Sequence, residues 1–324
     1  MAEASSRPRR IAITGSTGLI GNHLVLALAR MGHRITRVVR APQSLAGAHQ
    51  MVSWDPEAGQ LAPEALEGYD AVINLSGANL AEARWSDERK RLLISSRVDT
   101  TALLVRTLSA LQRPPGLLVQ ASAVGYYGHR PPDEPVDESG LPGEGFLAGL
   151  CMDWERAARP ATEAGVRTVV LRTGLVLSPR GGMLPRMLPL FRKGFGGRLG
   201  SGRQVMSWIT LEEIPLVVAH LLSRPDAHGP VNLVTPVALS NREFTETLAR
   251  VLARPAVFPA PRFALKMIFG EMADEMILSG ARVVPQQLIE LGYRFREVNL
   301  ESALRRMLAG EGAAPRPDGE APSA

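Results

Sequence analysis

A doubly wound parallel α/β sheet with a smaller C-terminal module after it is the fold class this sequence predicts. Three observations predict it. A β-branched run, Ile11 to Thr14, leads into glycines at spacing three (Gly15, Gly18, Gly21) and then into an apolar helical run, Asn22 to Met31, closed by Gly32. Short apolar runs alternate with helical stretches as far as residue 174. Small and polar residues gather just past several strand ends, where open α/β sheets place their ligands.

The elements follow in order. Gly32 ends the first helix as a C′ residue. Strands are expected at Arg34–Val39, Met51–Trp54, Ala71–Leu75, Leu117–Gln120 and Arg167–Leu171. Between them, Ser86–Leu111 reads as one long helical region and Phe146–Ala164 as another, with Arg130–Gly145 a Pro/Gly/acidic loop. Farther on, Ile214–Leu222 is an apolar helical run, and Ser240-x-x-Glu243 is a capping box opening a helix to about Leu252. Arg262–Gly280 reads as helix in pieces, more suited to core or subunit contact than to holding a cofactor. A helix opened by Val284-Pro285 ends at Gly292, Tyr293–Phe295 reads as a strand, and Asn299 caps the last helix.

At 324 residues the chain can bury a large core, and 45% hydrophobic with 21% charged residues is ordinary globular usage. No apolar run reaches membrane-span length, and the polar, basic start Met1–Arg10 is no secretory signal. A single cysteine, Cys151, excludes an intramolecular disulfide and a cysteine-built metal site, and fits a reducing cytoplasm. The six histidines show no metal-ligand spacing. The formal charge is +5 and only three of the 37 basic residues are lysine. The arginines are scattered without interleaved aromatics, so nucleic acid is not the expected partner.

The glycine turn carries the main functional expectation. Gly15 permits a tight turn off the strand, Gly18 clears the way for backbone to approach a diphosphate, and Gly21 lets helix and strand pack closely. The helix N-terminus then offers free N–H groups and a partial positive charge to phosphate. The bland alternative is an ordinary βα turn, but the strand before and the helix after favour dinucleotide binding. Arg40 stands 19 positions after Gly21, where an acidic residue would bind a ribose 2′-hydroxyl and an arginine accommodates a 2′-phosphate. With Arg37 upstream and no Asp or Glu nearby, NADP is expected over NAD; a solvated loop arginine is the alternative. Asp55 is a candidate for an adenine edge. For Arg97, inside the Ser86–Leu111 helical region, spacing alone favours a surface salt bridge.

Thr14-Gly-Ser-Thr-Gly-Leu-Ile-Gly21, Asn74-Leu-Ser-Gly77, Ser122–Gly128 and Arg172-Thr-Gly174 resemble the extended short-chain dehydrogenase/reductases of the nucleotide-sugar epimerase/dehydratase group. More narrowly, Ser96-Arg97, Gly125-Tyr-Tyr-Gly128, Trp154-Glu155, Gly196-Gly197, Gly200-Ser-Gly-Arg-Gln204, Trp208-Ile209 and the module from about Val231 to Leu308 resemble an atypical "epimerase family protein" branch. The resemblance implies a Rossmann fold binding NADP(H) through Gly15, Thr17, Gly18, Leu19, Ile20, Gly21, Arg40, Leu75, Ser76, Gly77, Arg97 and Val176. It implies an oxidoreductase or epimerase-like activity, with a non-catalytic NADP(H)-binding sensor or regulatory protein as the alternative.

That alternative stands because the usual proton-transfer pair is missing. The wider superfamily pairs a tyrosine with a lysine four residues on, whose charge lowers the phenol pKa. Here the residues four after Tyr69, Tyr126, Tyr127 and Tyr293 are Ile73, Arg130, Pro131 and Glu297, and the expected helix reads Phe146-Leu-Ala-Gly-Leu-Cys151. The remaining catalytic candidates are Ser122, in the place of the family's polar helper, Tyr127 at the sheet edge, and Cys151. A buried small hydrophobe is the commoner fate of a lone cysteine.

The chain divides on this reading into an arm (1–9), a nucleotide-binding domain (10–178), a substrate-binding C-terminal module (179–308) that crosses back near 205–235, and a Gly/Ala/Pro-rich tail (309–324). The segment 181–202 is glycine-rich and carries several cations, which suits an anionic small-molecule substrate as well as a solvated basic loop. Arg203 and Trp208 are the substrate-binding candidates, although core packing explains Trp208 equally well. His220 reads as a core or surface histidine. No membrane partner is expected, and the C-terminal module offers a route to an oligomer.

Overall fold

The computed structural model describes residues 7–40 and 50–309. The arm as far as residue 6 and the tail from residue 310 lie outside the described residues; Ala309 ends the last helix. Seven parallel strands form the central sheet: β1 (Arg10–Thr14), β2 (Arg34–Val39), β3 (Gln50–Ser53), β4 (Ala71–Asn74), β5 (Leu117–Ala123), β6 (Arg167–Thr173) and β7 (Gly229–Leu233). Their spatial order is β7-β6-β5-β4-β1-β2-β3. The winding therefore reverses between β1 and β4, and in open parallel sheets the crevice at that reversal receives the ligand.

Alternation along each strand explains why both faces are covered. Ile11, Ile13, Ile35, Ile73, Val119, Val169 and Leu171 join Leu24, Val25 and Leu28 of α1 (Leu19–Arg30) and Val217, Val218 and Leu221 of α6 (Ile214–Ser223) in one core. Ala12, Val38, Val72 and Leu118 face the opposite core with Leu104 and Leu108 of α3 (Val98–Ser109) and Ala161 of α4 (Phe146–Glu163). Each fully buried aliphatic side chain contributes about 1.5–3 kcal/mol.

Helix ends obey their local chemistry. Gly32, at φ 89°, closes α1 while His33 N–H reaches back to Leu28 O (3.1 Å). The capping box holds: Ser240 Oγ accepts from Glu243 N–H, and Glu243 accepts from Ser240 N–H, at the start of α7 (Asn241–Leu252). Asn299 Oδ1 accepts from Ser302 N–H at the start of the last helix.

Two expectations need correction, and one strand was not among those expected. The helical region Ser86–Leu111 is two helices, α2 (Asp87–Ser95) and α3, because the chain breaks at Ser96-Arg97: Ser96 Oγ accepts from Ala78 N–H, which turns Arg97 inward. Tyr293–Phe295 is not a strand; this segment is gathered instead on the buried Glu213 carboxylate, which accepts from Tyr293 Oη–H and Arg296 N–H. And β7 adds a strand opened by Gly229-Pro230, a dipeptide that reads as a turn in the sequence.

Three imidazoles sit in environments that favour the neutral ring. Burial holds His23, His33 and His220 below the ordinary value of 6.5, with Arg180 adding to the effect at His23 and Arg9 at His33. As pH falls below 6.5, the unfolded chain takes up these protons before the folded one. Their contribution is therefore fully present above pH 6.5 and is lost below it. Melting temperature followed by circular dichroism from about pH 8 to about pH 5 should fall through that window, and His33→Gln with His220→Gln should flatten the fall. An unchanged slope in the double variant contradicts this assignment.

Candidate functional site

The crevice between β1 and β4 is built by backbone. Gly15 has φ 61°, and a Cβ there would stand 2.4 Å from Leu75 O, so the loops after β1 and β4 touch. A Cβ on Gly21 would stand 2.2 Å from Gly15 O, which fixes how closely α1 packs under the turn. Gly18 is different: its Cβ would meet only Gly15 O, at 3.4 Å, so its outer side is open. Thr17 and Gly18 are exposed, Leu19 and Ile20 half-buried. The first turn of α1 has no acidic residue and no side-chain cap, leaving its N–H groups to an anion.

Behind the crevice a buried network fixes both loops. Thr14 Oγ1 donates to Asn74 Oδ1 (2.6 Å) and accepts from Ser76 Oγ (2.9 Å) and Leu75 N–H (3.2 Å). Asn74 Nδ2 donates to Thr101 Oγ1 and Gln120 Oε1, and Trp154 Nε1 donates to Thr101 Oγ1. One connected set of polar groups thus joins the ends of β1, β4 and β5 to α3 and α4, and buried networks of this kind hold loop geometry when every member is paired. On the far side, a Cβ on Gly181 would stand 3.0 Å from Leu19 Cδ1, and one on Gly182 would stand 3.5 Å from Val176 O. Residues 176–182 therefore lie against Leu19, and Val176 belongs to the same wall.

Arg97 is 7% exposed rather than the surface ion pair that spacing favoured. Its Nη1 donates to Leu93 O (3.1 Å), its Nη2 to Ala78 O (2.8 Å), and the guanidinium stands over the Trp154 ring at 5.2 Å. No carboxylate pairs with it among the described residues, and burial lowers its pKa to about 10. It remains a cation at neutral pH, directly behind Gly77, where a Cβ would lie 3.0 Å from Arg97 Cζ. Arg40 is exposed just past the end of β2. Asp55 is not turned to a ligand: its Oδ1 accepts from Glu57 N–H and Ala58 N–H within its own turn.

The catalytic candidates fare unequally. Ser122 is 4% exposed at the end of β5, and its Oγ donates to Glu155 Oε1 (2.7 Å). Arg172, opposite Ser122 in the β5–β6 register, forks onto Glu155: Nε to Oε1 and Nη2 to Oε2, both 2.9 Å. Burial alone would lower the Arg172 pKa, but Glu155 and Tyr127 raise it, so the guanidinium stays charged. Tyr127 is corrected from edge group to core brace. Its hydroxyl donates to Asn232 Oδ1 (2.7 Å) and accepts from Arg172 Nη1 (2.9 Å), it is fully buried, and burial pushes its pKa up to about 12. Cys151 is corrected likewise: burial pushes the thiol up to about 11, so it stays protonated and packs as a small hydrophobe. The half-buried tyrosine here is Tyr126, whose ring lies 3.5 Å from the Arg172 guanidinium carbon.

The two substrate candidates are not brought together. Trp208 is 1% exposed, packs with Leu177 and Phe244, and donates from Nε1 to Val237 O (2.9 Å), so it is core. Arg203 is exposed in a turn closed by its own N–H on Ser201 Oγ. The C-terminal module instead reaches the site through Glu275. Its carboxylate accepts from Phe146 N–H (3.2 Å) and Leu147 N–H (3.1 Å) and so caps α4, whose N-cap residue is Gly145. Glu155, Arg172 and Tyr126 were missed as site residues. The available signal was their class: polar groups at the C-terminal ends of parallel strands or one helical turn beyond a candidate.

The profile of the NAD dependent epimerase/dehydratase family matches residues 11–234, and that of a domain of unknown function, DUF1731, matches residues 260–307. An "epimerase family protein" of Mycobacterium bovis is 46% identical over 297 residues, covering 91% of this chain and 96% of its own length. The human epimerase family protein SDR39U1 is 34% identical over 303 residues, covering 93% and 100%. The crystal structure of the human protein (isoform 2) with NADPH superposes with a TM-score of 0.84 at 32% identity, over 93% of this chain and 99% of that one. A nucleoside-diphosphate sugar epimerase from Corynebacterium glutamicum superposes with a TM-score of 0.76 at 32% identity, over 93% of this chain and 58% of that one.

Proposed function

Because the chain belongs to the NAD dependent epimerase/dehydratase family, we propose that it binds NADP(H) across the β1–β4 crevice and acts as an oxidoreductase or epimerase-like enzyme on an anionic small molecule. The observation that carries the reading is the cradle itself. Gly15 and Gly21 admit no side chain, the outer side of Gly18 is open, and the buried Arg97 cation behind Gly77 lacks a carboxylate partner among the described residues. A polyanionic nucleotide supplies the charge this crevice lacks. Its diphosphate would lie on the N–H groups of Thr17 to Ile20, its 2′-phosphate by Arg40, and its nicotinamide half toward Leu75, Ser76, Gly77 and Val176. The single buried cysteine and the absence, among the described residues, of a helix long and apolar enough to cross a membrane support a cytoplasmic location.

Bound NADP(H) supplies a hydride donor or acceptor at the nicotinamide. The chain supplies the proton. Ser122 Oγ, hydrogen-bonded to Glu155, can accept a proton from a substrate hydroxyl while passing its own to Glu155 Oε1, or run the reverse. The Arg172 fork holds Glu155 in place. Arg97 adds fixed positive charge behind Gly77. A sensor or regulatory protein is the second reading, favoured by the burial of Ser122, Tyr127 and Cys151.

Arg40→Asp tests the cofactor assignment. It should weaken NADPH binding about tenfold to a hundredfold in calorimetric titration, the scale of a lost charge-assisted contact, while NADH affinity changes less than about threefold. Equal loss for both nucleotides refutes the 2′-phosphate role. Substrate-dependent change in nicotinamide absorbance, or product analysis where no net redox occurs, separates enzyme from sensor. Turnover unaffected by Ser122→Ala would remove Ser122 from the mechanism.

A further inference from the structure

Arg37 lies in the middle of β2, opposite Ile13 of β1 and Met51 of β3, at a position where a parallel sheet normally carries an aliphatic side chain. It is 2% exposed. Its Nη1 donates to Ser16 O at 2.6 Å and its Nη2 to Asn22 Oδ1 at 2.9 Å. Its Nε is buried with no partner, as is the hydroxyl of Ser16, itself 1% exposed. No carboxylate pairs with Arg37 among the described residues, and burial lowers its pKa. Nor does the neighbouring sequence offer one: residues 4–54 contain no Asp or Glu, but seven arginines.

The two acceptors bracket the glycine turn. Ser16 O stands at its start, and Asn22, whose N–H donates to Gly18 O (2.9 Å), stands just beyond it in the first helical turn. Pulling Ser16 O down toward Arg37 has a consequence fixed by the planar trans peptide: the N–H of Thr17 must point to the opposite side. It also withdraws a carbonyl oxygen that would repel a phosphate. The turn is held in its anion-accepting form from beneath, by a buried positive charge close to the positive end of α1.

We propose that Arg37 is a positioning residue for the cofactor diphosphate, a buried and uncompensated cation that presets the glycine turn and finds its counter-charge only when the phosphates arrive. This rests on the NADP(H)-binding reading. It differs from the part given to Arg40, because a diphosphate is common to NADPH and NADH.

Three measurements test it. Arg37→Leu should change the melting temperature of the nucleotide-free protein little, because relief of a buried charge with an orphaned N–H offsets the two acceptors left unpaired. The same variant should bind NADPH and NADH about tenfold or more weakly, to the same extent, with a shallower dependence on salt. Sodium pyrophosphate should raise the wild-type melting temperature more than sodium chloride of equal ionic strength, and this excess should vanish in Arg37→Leu. Wild-type nucleotide affinity in a folded Arg37→Leu overturns the proposal, and loss confined to NADPH overturns the diphosphate assignment. Should Arg37→Leu not fold, Arg37→Lys decides: it keeps the charge but cannot fork onto both acceptors. Nucleotide binding at least about threefold weaker supports the proposal, and unchanged binding overturns it. A wild-type protein that binds neither nucleotide overturns the cofactor reading instead, so the two failures are distinct.

Discussion

Glu155→Leu is expected to lower the unfolding free energy by about 3–5 kcal/mol, the cost of leaving one member of a buried ion pair without the other. The Arg172 side chain is only 5% exposed and Glu155 15%, and the fork between them is bidentate at 2.9 Å. Removing the carboxylate strands a guanidinium against the Tyr126 and Tyr127 rings and leaves Ser122 Oγ without its acceptor. Replacing both partners, as Glu155→Leu with Arg172→Met, should recover most of the loss, because the desolvation of both ions is removed with their attraction. Urea unfolding of the two variants measures this. A loss below about 1 kcal/mol in the single variant would mean the pair is effectively solvated. A stable double variant with no turnover would tie the relay to chemistry rather than to folding.

A matched pair of glycine variants should separate packing from ligand approach. Gly21→Ala gains about 1 kcal/mol of helix propensity, yet its Cβ would stand 2.2 Å from Gly15 O and 2.8 Å from Ser16 Cα. Gly15 O is already the acceptor for Gly18 N–H (3.1 Å), so the turn cannot yield without opening. Net destabilisation of about 2–3 kcal/mol and loss of detectable NADPH binding are expected. Gly18→Ala should fold within about 1 kcal/mol of wild type, because its new methyl meets only an ordinary contact at 3.4 Å, and should still weaken NADPH about tenfold or more by standing where the diphosphate approaches. Thermal melts and calorimetry on both variants check this. Wild-type affinity in Gly18→Ala would show that no ligand passes over the turn.

What could be read from the sequence was local. The glycine turn, the Gly32 stop and the Ser240 capping box each depend on residues within a few positions of one another, and each stands in the structure as expected. Burial decided the rest. Tyr126 and Tyr127 are adjacent, and only the fold determines that Tyr127 meets Asn232 from β7 while Tyr126 stays half-buried. Trp208 fits pocket and core equally well as a residue type, a lone cysteine such as Cys151 is more often core, and the core claimed both. Arg97 looked like a surface charge because a single arginine in a helical stretch normally is one; the break at Ser96 turned it inward. Arg37, counted beside Arg40 in favour of NADP, is corrected by the same effect: it is buried in the strand, and its acceptors come from a turn fifteen or more positions away. The relay of Ser122, Glu155 and Arg172 joins two strands and a helix, and no spacing rule in one chain segment announces it.

The most direct test of the account is a crystal structure of the wild-type chain grown with NADPH. The predicted result is a diphosphate on the N–H groups of Thr17 to Ile20, above the Arg37–Ser16 contact, with the 2′-phosphate beside Arg40 and the nicotinamide between Gly77 and Val176. A nucleotide bound elsewhere, or a glycine turn that refuses it while calorimetry detects no heat, would contradict the account at its root.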